Sequence, residues 1–184
     1  MRIALVSTAV LTLGLAACGS SEPANEASAD ATETAAPEVT RAVATLQSAD
    51  GQTVGNVIAT ADGTGIQIEL NVDGVSAGEH GVHVHTTGAC TAPDFASAGG
   101  HWNPGSRQHG LENPEGSHAG DMPNLTVAAD GTGRLEYVLQ NATIDGLLDA
   151  DGSAFVVHAK ADDQKTDPSG DSGDRIACGV FSAG

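Results

Sequence analysis

The chain beyond residue 40 is divided into short segments in which apolar and polar residues alternate, and Asp-Gly pairs separate several of them. Ala42–Leu46, Val54–Ala59 and Ile66–Leu70 alternate in this way, with Asp50-Gly51 and Asp62-Gly63 between them. An Asp-Gly pair between alternating segments is a strong hairpin signal, because glycine accepts the positive φ that tight hairpin turns require. The pattern therefore predicts antiparallel strands joined by tight turns.

The rest of the chain repeats this pattern in five more segments. They are Gly81–Thr86, Leu125–Val127, Gly133–Val138, Ala154–Lys160 and Arg175–Phe181. Seven or eight short strands at this spacing are typical of a Greek-key sandwich or barrel. We predict an all-β fold, an eight-stranded Greek-key β-barrel or sandwich, with one short helical turn over Ile144–Ala150.

Two segments do not follow the pattern, Thr87–Asn124 and Ala161–Asp174. The first is long and rich in glycine and proline, and a segment of that length without regular structure in a compact domain is usually functional or disordered. We predict function, because it carries four candidate metal ligands, which are His101, His109, His118 and Asp121.

The chain has seven histidines, and several are grouped. Successive side chains of a strand point to opposite faces, so His83 and His85 lie on one face of the predicted strand and His80 has the parity of the other. Two imidazoles are thereby presented side by side. This arrangement favours metal ligation when loops supply further ligands.

Two metal-ligand sets can be drawn from these residues, and both use His101. The first contains imidazole nitrogens alone, which favours Cu(II). Its members are His83, His85, His101 and His158. The second combines imidazoles with one carboxylate, a set that zinc accepts. Its members are His101, His109, His118 and Asp121. The residues alone leave open whether His101 serves both metals.

The formal net charge of the chain is −17. Such a charge opposes binding to phosphate backbones and to anionic membrane surfaces. Nucleic acid is therefore excluded as a predicted partner.

The N-terminal segment Met1–Ala17 has the pattern of an export signal, with Arg2 followed by an uncharged run that is too short to span a membrane. Leu15–Gly19 resembles the lipobox of bacterial lipoproteins, in which the cysteine, here Cys18, is acylated. The alternative is an ordinary cleaved signal with an incidental cysteine.

Residues 18–40 are predicted to form the acylated N-terminus and a flexible tether, because they contain no apolar period. Residues 41–184 then form the folded domain. The predicted location is the bacterial cell envelope, as a lipoprotein facing the periplasm that touches the membrane only through its lipid anchor. Gly19 after the cysteine favours the outer membrane by analogy with enteric bacteria.

Export also bears on Cys90 and Cys178, the two remaining cysteines. In an oxidising compartment an even pair forms a disulfide by default. Free thiols or metal ligands are the alternative interpretation.

Together, the grouped histidines and their neighbours resemble the copper,zinc superoxide dismutase family. The similarity covers roughly Arg41–Phe181. It is carried by the motifs His80–His85, Gly100–Pro104, His118–Asp121, His158–Asp163 and Arg175–Val180.

The resemblance implies a Greek-key β-barrel with long metal-binding and electrostatic loops, and it implies roles for individual residues. His101 would bridge copper and zinc as the member shared by both ligand sets. Asp162 would join His83 to His109, and Cys90 and Cys178 would form the intrasubunit disulfide. Arg175 would be the cation beside copper. His80 would have a structural role and would not bind a metal.

The implied activity is the disproportionation of superoxide to oxygen and hydrogen peroxide, with Arg175 orienting the anion and His101 delivering a proton. A surface ion pair with Asp174 or Asp171 is the alternative role for Arg175. Asp174 and an acidic neighbouring loop weaken the expected electrostatic guidance. The alternative function is a non-catalytic copper-binding or copper-delivery lipoprotein. The sequence leaves the oligomeric state open between monomer and homodimer.

Overall fold

The computed structural model describes residues 38–184. The predicted signal peptide of residues 1–17, the predicted acylation site at Cys18 and most of the predicted tether lie outside the described residues. Within residues 38–184, no helix is long and apolar enough to cross a membrane.

Ten β-strands make up most of the regular structure of the described region. They are β1 (Arg41–Ser48), β2 (Thr53–Ala61), β3 (Gly65–Val72), β4 (Gly78–His80), β5 (Val82–His85), β6 (Leu125–Val127), β7 (Gly133–Gln140), β8 (Ala154–His158), β9 (Arg175–Val180) and β10 (Ser182–Ala183). One α-helix, α1, covers Ile144–Leu147, a shorter element than the predicted Ile144–Ala150, and a 3-10 helix covers Ala96–Ala98. The side chain of Thr143 caps α1 by accepting the N–H of Gly146 at 3.1 Å.

The first three strands show why the alternating pattern gives a sheet. β1 pairs with β2 and β2 with β3, all antiparallel. Gly51 and Gly63 in the two connecting turns have φ of +80° and +87°, as the Asp-Gly pairs predict. Buried and half-buried residues alternate along β3, so one face of the strand enters the core.

The strands form one antiparallel sheet in the order β4-β6-β7-β3-β2-β1-β9-β8-β5, with β10 added to β1. The predicted all-β barrel is confirmed, with the short strands β4 and β10 in addition to the eight that were predicted. The chain crosses over between β3 and β4, between β5 and β6 and between β7 and β8. β4 and β5, at opposite ends of this order, are separated in sequence by Gly81 alone, so the chain itself connects the two edges of the sheet.

Gly81 divides the strand that the sequence predicts over residues 81–86. Its N–H donates to the carbonyl of Lys160 at 2.8 Å, and its carbonyl accepts the N–H of His158 at 2.8 Å. A Cβ at this position would lie 2.9 Å from the side chain of Ser172. The ring nitrogens of His80 lie 2.7 Å and 2.8 Å from backbone carbonyl oxygens, which fits its predicted structural position.

The barrel interior is filled mainly by aliphatic side chains. Complete burial of such a side chain contributes about 1.5–3 kcal/mol relative to exposure. Fully buried examples are Leu46, Val57, Ile66, Ile68, Leu70, Leu125, Leu147 and Phe155. A smaller apolar cluster, which we call the loop cluster, packs the start of the long loop against β8 and β9. It contains Phe95, Ala98, Ala154, Val156 and Cys178.

A disulfide between Cys90 and Cys178 joins the long loop to β9, as predicted. Cys178 is buried in the loop cluster and Cys90 packs against it. The bond closes a sequence separation of 88 residues and restricts the unfolded chain accordingly.

We expect the double substitution Cys90→Ala, Cys178→Ala to lower the free energy of unfolding by about 2–5 kcal/mol, because the unfolded chain loses its crosslink. Denaturant unfolding of both proteins, each loaded with the same metals, measures this difference. A reducing agent should destabilise the unsubstituted protein and leave the variant unchanged. Equal stability of the two oxidised proteins would contradict the expectation.

Candidate metal centre

The outer edge of β5 is paired by the long loop instead of by another strand. Val84 donates its N–H to a loop carbonyl at 3.0 Å and accepts a loop N–H at 2.8 Å. In this register His101 lies opposite His85, and Asp121 lies opposite His83. The pairing therefore fixes two ligand candidates of the loop to the strand that carries two others.

The structure brings the four predicted copper ligands together, and we call them the four-histidine cluster. One ligand atom from each of these side chains lies within 4.8 Å of the other three. The cluster consists of His83, His85, His101 and His158. His83, His85 and His158 are buried, and only 3% of the His101 side chain is exposed, so little water competes for their nitrogens.

Hydrogen bonds select which nitrogens of this cluster remain free. His83 donates from Nε2 to the Asp162 carboxylate at 2.6 Å. His85 and His158 donate from Nδ1 to backbone carbonyls at 3.0 Å and 3.1 Å. A proton held on one ring nitrogen leaves a lone pair on the other. The Nε2 atoms of His85 and His158 are 3.4 Å apart, two lone pairs that a shared cation would stabilise.

The predicted zinc ligands converge on a single oxygen, and we call them the mixed cluster: His101, His109, His118 and Asp121. The Nδ1 atoms of the three histidines lie 3.0, 3.1 and 3.4 Å from Asp121 Oδ1. Three imidazole nitrogens around one carboxylate oxygen match the donor set that zinc accepts.

A competing set of four residues replaces His118 in the mixed cluster by His83, again with ligand atoms within 4.8 Å. We assign His118 instead. His83 Nε2 is occupied by the Asp162 carboxylate, and its other nitrogen belongs with the four-histidine cluster. His118 Nδ1 also lies 3.4 Å from His101 Nδ1.

His101 belongs to both clusters through its two ring nitrogens. Nδ1 lies beside Asp121, whereas Nε2 is buried and makes no hydrogen bond within residues 38–184. His83 Nδ1 is buried without a partner in the same way. Leaving a polar atom buried and unsatisfied costs about 1–3 kcal/mol. Both atoms are nitrogen donors of the four-histidine cluster, so a copper ion fits the residues present.

The Asp162 carboxylate connects the two clusters. Its Oδ2 accepts from His83, and its Oδ1 accepts from Nε2 of His109 at 3.1 Å. Gly170, with φ of +62°, passes so close that a Cβ there would lie 1.8 Å from Asp162 Oδ1. Only glycine therefore leaves room for this carboxylate.

Burial lowers the pKa of three histidines of the four-histidine cluster, to about 3 for His83, about 2 for His85 and about 4 for His158. These imidazoles are neutral at pH 7 and keep their lone pairs for a metal. Burial acts the same way on His109, but hydrogen bonds with Asp121 and Asp162 outweigh it and raise its pKa to about 9. Burial opposes ionisation of Asp121 and Asp162, but hydrogen bonds outweigh it and hold the pKa of both carboxyls well below the usual value, chiefly that with His101 for Asp121 and that with His109 for Asp162.

A cavity of about 450 Å³ opens on both clusters. Arg175 lines it, and its guanidinium donates to the carbonyls of Phe95 at 2.7 Å and Gly99 at 2.6 Å. The Gly99 carbonyl also accepts from His85 Nδ1. The alternative surface ion pair of Arg175 with Asp174 or Asp171 is not found within residues 38–184. Desolvation lowers the pKa of Arg175, yet a guanidinium keeps its charge in proteins.

Sequence reasoning missed two residues that line this cavity, Arg107 and Asp167. Arg107 is the only lysine or arginine between residues 87 and 124, and this isolated positive charge among candidate metal ligands could have identified it from the sequence. Lys165, the one cation of the neighbouring loop, instead forms an exposed ion pair with Glu112 at 2.6 Å. The positive charge of Lys165 is therefore largely compensated by Glu112, and Lys165 does not line the cavity.

Comparison with known proteins gives consistent matches. A family model described as copper/zinc superoxide dismutase (SODC) matches residues 53–181. A copper-zinc superoxide dismutase of Caulobacter vibrioides is 42% identical over 147 residues, which are 76% of this chain and 84% of that protein. A superoxide dismutase-like protein of Bacillus subtilis is 41% identical over 145 residues, 74% of this chain and 73% of that protein.

Solved structures agree. The crystal structure of a dismutase-like protein from Bacillus subtilis matches with a TM-score of 0.72 at 41% identity, covering 75% of this chain and 96% of that chain. The copper/zinc superoxide dismutase from Brucella abortus matches with a TM-score of 0.64 at 30% identity, covering 76% of this chain and 98% of that chain.

The double role of His101 can be tested by comparing a variant at this residue with a variant at a residue that belongs to one cluster only. We expect His101→Ala to weaken binding of both copper and zinc by about 10-fold or more, because each cluster loses a nitrogen. His85→Ala should weaken copper binding alone. Metal content at fixed free metal concentrations measures both. Unchanged zinc binding in His101→Ala would show that the shared position is wrongly assigned.

Proposed function

Since the chain belongs to the copper/zinc superoxide dismutase family, we propose that it converts two superoxide anions and two protons into oxygen and hydrogen peroxide. The family uses copper and zinc, and the two clusters supply donor sets that suit them. The observation that carries the proposal is the position of Arg175. A fixed cation and the four-histidine cluster share one cavity, which suits a small anion as substrate.

When bound, copper supplies the reversible one-electron chemistry of superoxide, and zinc a constant positive charge beside His101. The side chains of the protein deliver a proton and orient the superoxide anion. His101 Nε2 has no other hydrogen-bond partner among the described residues and belongs to the four-histidine cluster. We assign to this atom the uptake of one proton and its delivery to the peroxide product. Asp121 beside Nδ1 holds the ring in position while Nε2 takes up and releases the proton.

Arg175 binds and orients the anion. Two of its N–H groups are held by the carbonyls of Phe95 and Gly99, which fixes the plane of the guanidinium. The remaining donors stay available to an anion in the cavity, and the rigid fork suits a diatomic oxygen species. Arg107 on the same cavity adds a second positive charge. The two arginines oppose the field of a chain whose net charge is −17.

Copper binding or delivery without turnover is the rival function. One of the similar proteins is named dismutase-like, so family membership and the fold leave this alternative open. A copper store needs its nitrogen ligands but no cation beside them. Retention of Arg175 in the cavity therefore favours turnover.

We expect Arg175→Ile to leave copper content nearly unchanged and to lower the second-order rate with superoxide about 10-fold or more. Arg134→Ile is the matched control, because Arg134 lies exposed on β7, pairs with Glu136 and does not line the cavity. Rates of copper-loaded proteins at several ionic strengths make the comparison. The salt dependence should shrink in Arg175→Ile only. Equal rates at full copper loading would favour the copper-binding rival.

We further propose that the protein is an envelope lipoprotein anchored through Cys18, with the membrane contacted only by the lipid. The lipobox-like segment Leu15–Gly19 supports this assignment. The Cys90–Cys178 disulfide supports export as well, since such bonds persist in oxidising compartments.

Cys18→Ser should abolish acylation, because a hydroxyl does not replace the thiol that takes the first lipid. We expect the exported variant to lose membrane association while its superoxide rate is retained, since several acyl chains are what anchors such a protein stably. Fractionation and labelling with a radioactive fatty acid measure the two properties. Label in the Cys18→Ser protein would refute the lipobox assignment.

A further inference from the structure

The loop between β8 and β9 places two carboxylates, those of Asp162 and Asp167, against the metal centre. Asp167 has no role in the function proposed above. Asp167 Oδ1 accepts the backbone N–H of His109 at 2.7 Å. The same oxygen lies 3.7 Å from Nε2 of His118. Asp167 therefore contacts two members of the mixed cluster, one through its backbone and one through its ring.

We propose that Asp167 is a positioning residue of the mixed cluster, which fixes His109 and increases the metal affinity of His118. The proposal rests on the assignment of the mixed cluster as the zinc site. It does not depend on whether the protein turns over superoxide.

The physical argument starts from the two nitrogens of His118. Nδ1 lies 3.4 Å from Asp121 Oδ1, so Nδ1 is the nitrogen that faces the metal. Its lone pair is free for the metal only when Nε2 carries the proton, and a carboxylate near Nε2 favours the ring orientation that places Nδ1 towards the metal. At 3.7 Å, with half of the Asp167 side chain exposed, this contribution is electrostatic and partly screened.

The hydrogen bond to His109 is the stronger of the two contacts. It is short, it joins a charged acceptor to a backbone N–H, and His109 is completely buried. It also crosses between the two long loops, so it sets the distance from the His109 backbone to the loop that carries Asp162. His109 Nε2 donates to Asp162, and its ring is thereby held from both sides.

Other contacts keep the shape of the Asp167 loop. The Asp163 carboxylate accepts the N–H groups of Lys165 at 2.9 Å and Thr166 at 2.8 Å. Asn113 donates to the Lys165 carbonyl at 3.2 Å and so ties this loop to the other one. Loss of the Asp167 side chain should therefore change the contacts to the metal ligands more than the fold of the loop.

Two substitutions separate the contributions. Asp167→Ala removes both contacts, whereas Asp167→Asn keeps an oxygen acceptor for His109 and removes the charge near His118. Asp171→Asn is the matched control, an exposed acid of the same loop without a side-chain hydrogen bond within residues 38–184. Its φ of 51° is one that asparagine accepts well.

The probe is zinc itself, measured on the full oxidised chain by competition with a chelator, together with the visible spectrum of Co²⁺ bound in its place. We expect Asp167→Ala to lower zinc affinity about 10-fold or more and Asp167→Asn to lower it less, with Asp171→Asn unchanged. The Co²⁺ bands should shift in both Asp167 variants, because the position of the ligands or the charge beside them changes. A role limited to loop stability would leave these bands unchanged.

Zinc affinity and Co²⁺ spectra equal to the control in both Asp167 variants would overturn the proposal. If Asp167→Ala does not fold, the zinc affinity and the Co²⁺ spectrum of Asp167→Asn alone test the proposal. A protein that binds zinc in this way but does not consume superoxide would refute the proposed activity and leave the role of Asp167 intact.

Discussion

Backbone pairing along the outer edge of β5 is the interaction on which the metal centre depends. A strand edge with unpaired N–H and C=O groups is costly when buried. Here the long loop satisfies that edge on both sides of Val84. The same bonds bring His101 and Asp121 to the strand that carries His83 and His85. A loop without regular structure thereby acquires the positional accuracy of a sheet.

Around that frame, several ligand side chains are held by hydrogen bonds from other parts of the chain. The Asp162 carboxylate holds one ring of each cluster, and backbone carbonyls hold two more. Among residues 38–184, three buried side-chain atoms lack a hydrogen-bond partner, and two of them, His83 Nδ1 and His101 Nε2, lie where a metal fits. Metal binding then supplies the missing partners, so binding and stability are coupled.

The sequence predicts the strands well because their signal is local. Alternation and Asp-Gly turns locate β1, β2 and β3, and the motif order of the family indicates the ligands. The break at Gly81, the short β4 and β10, and the contacts of Arg107 and Asp167 were not predicted. Each of these depends on the approach of segments far apart in sequence, which leaves no periodic trace. Spacing alone could not show that His101 serves two clusters, because both of its nitrogens are used through tertiary contacts.

The carbonyl of Gly99 accepts hydrogen bonds from both Arg175 and His85. The proposed anion guide and a candidate copper ligand are therefore held by the same carbonyl oxygen, so a displacement of that carbonyl would disturb both. A change of the 96–99 turn would therefore alter both the proposed anion site and the geometry of the four-histidine cluster. Variation in this family should accordingly spare that turn and accumulate at the outer rim of the cavity, where charge can be tuned without touching the metal.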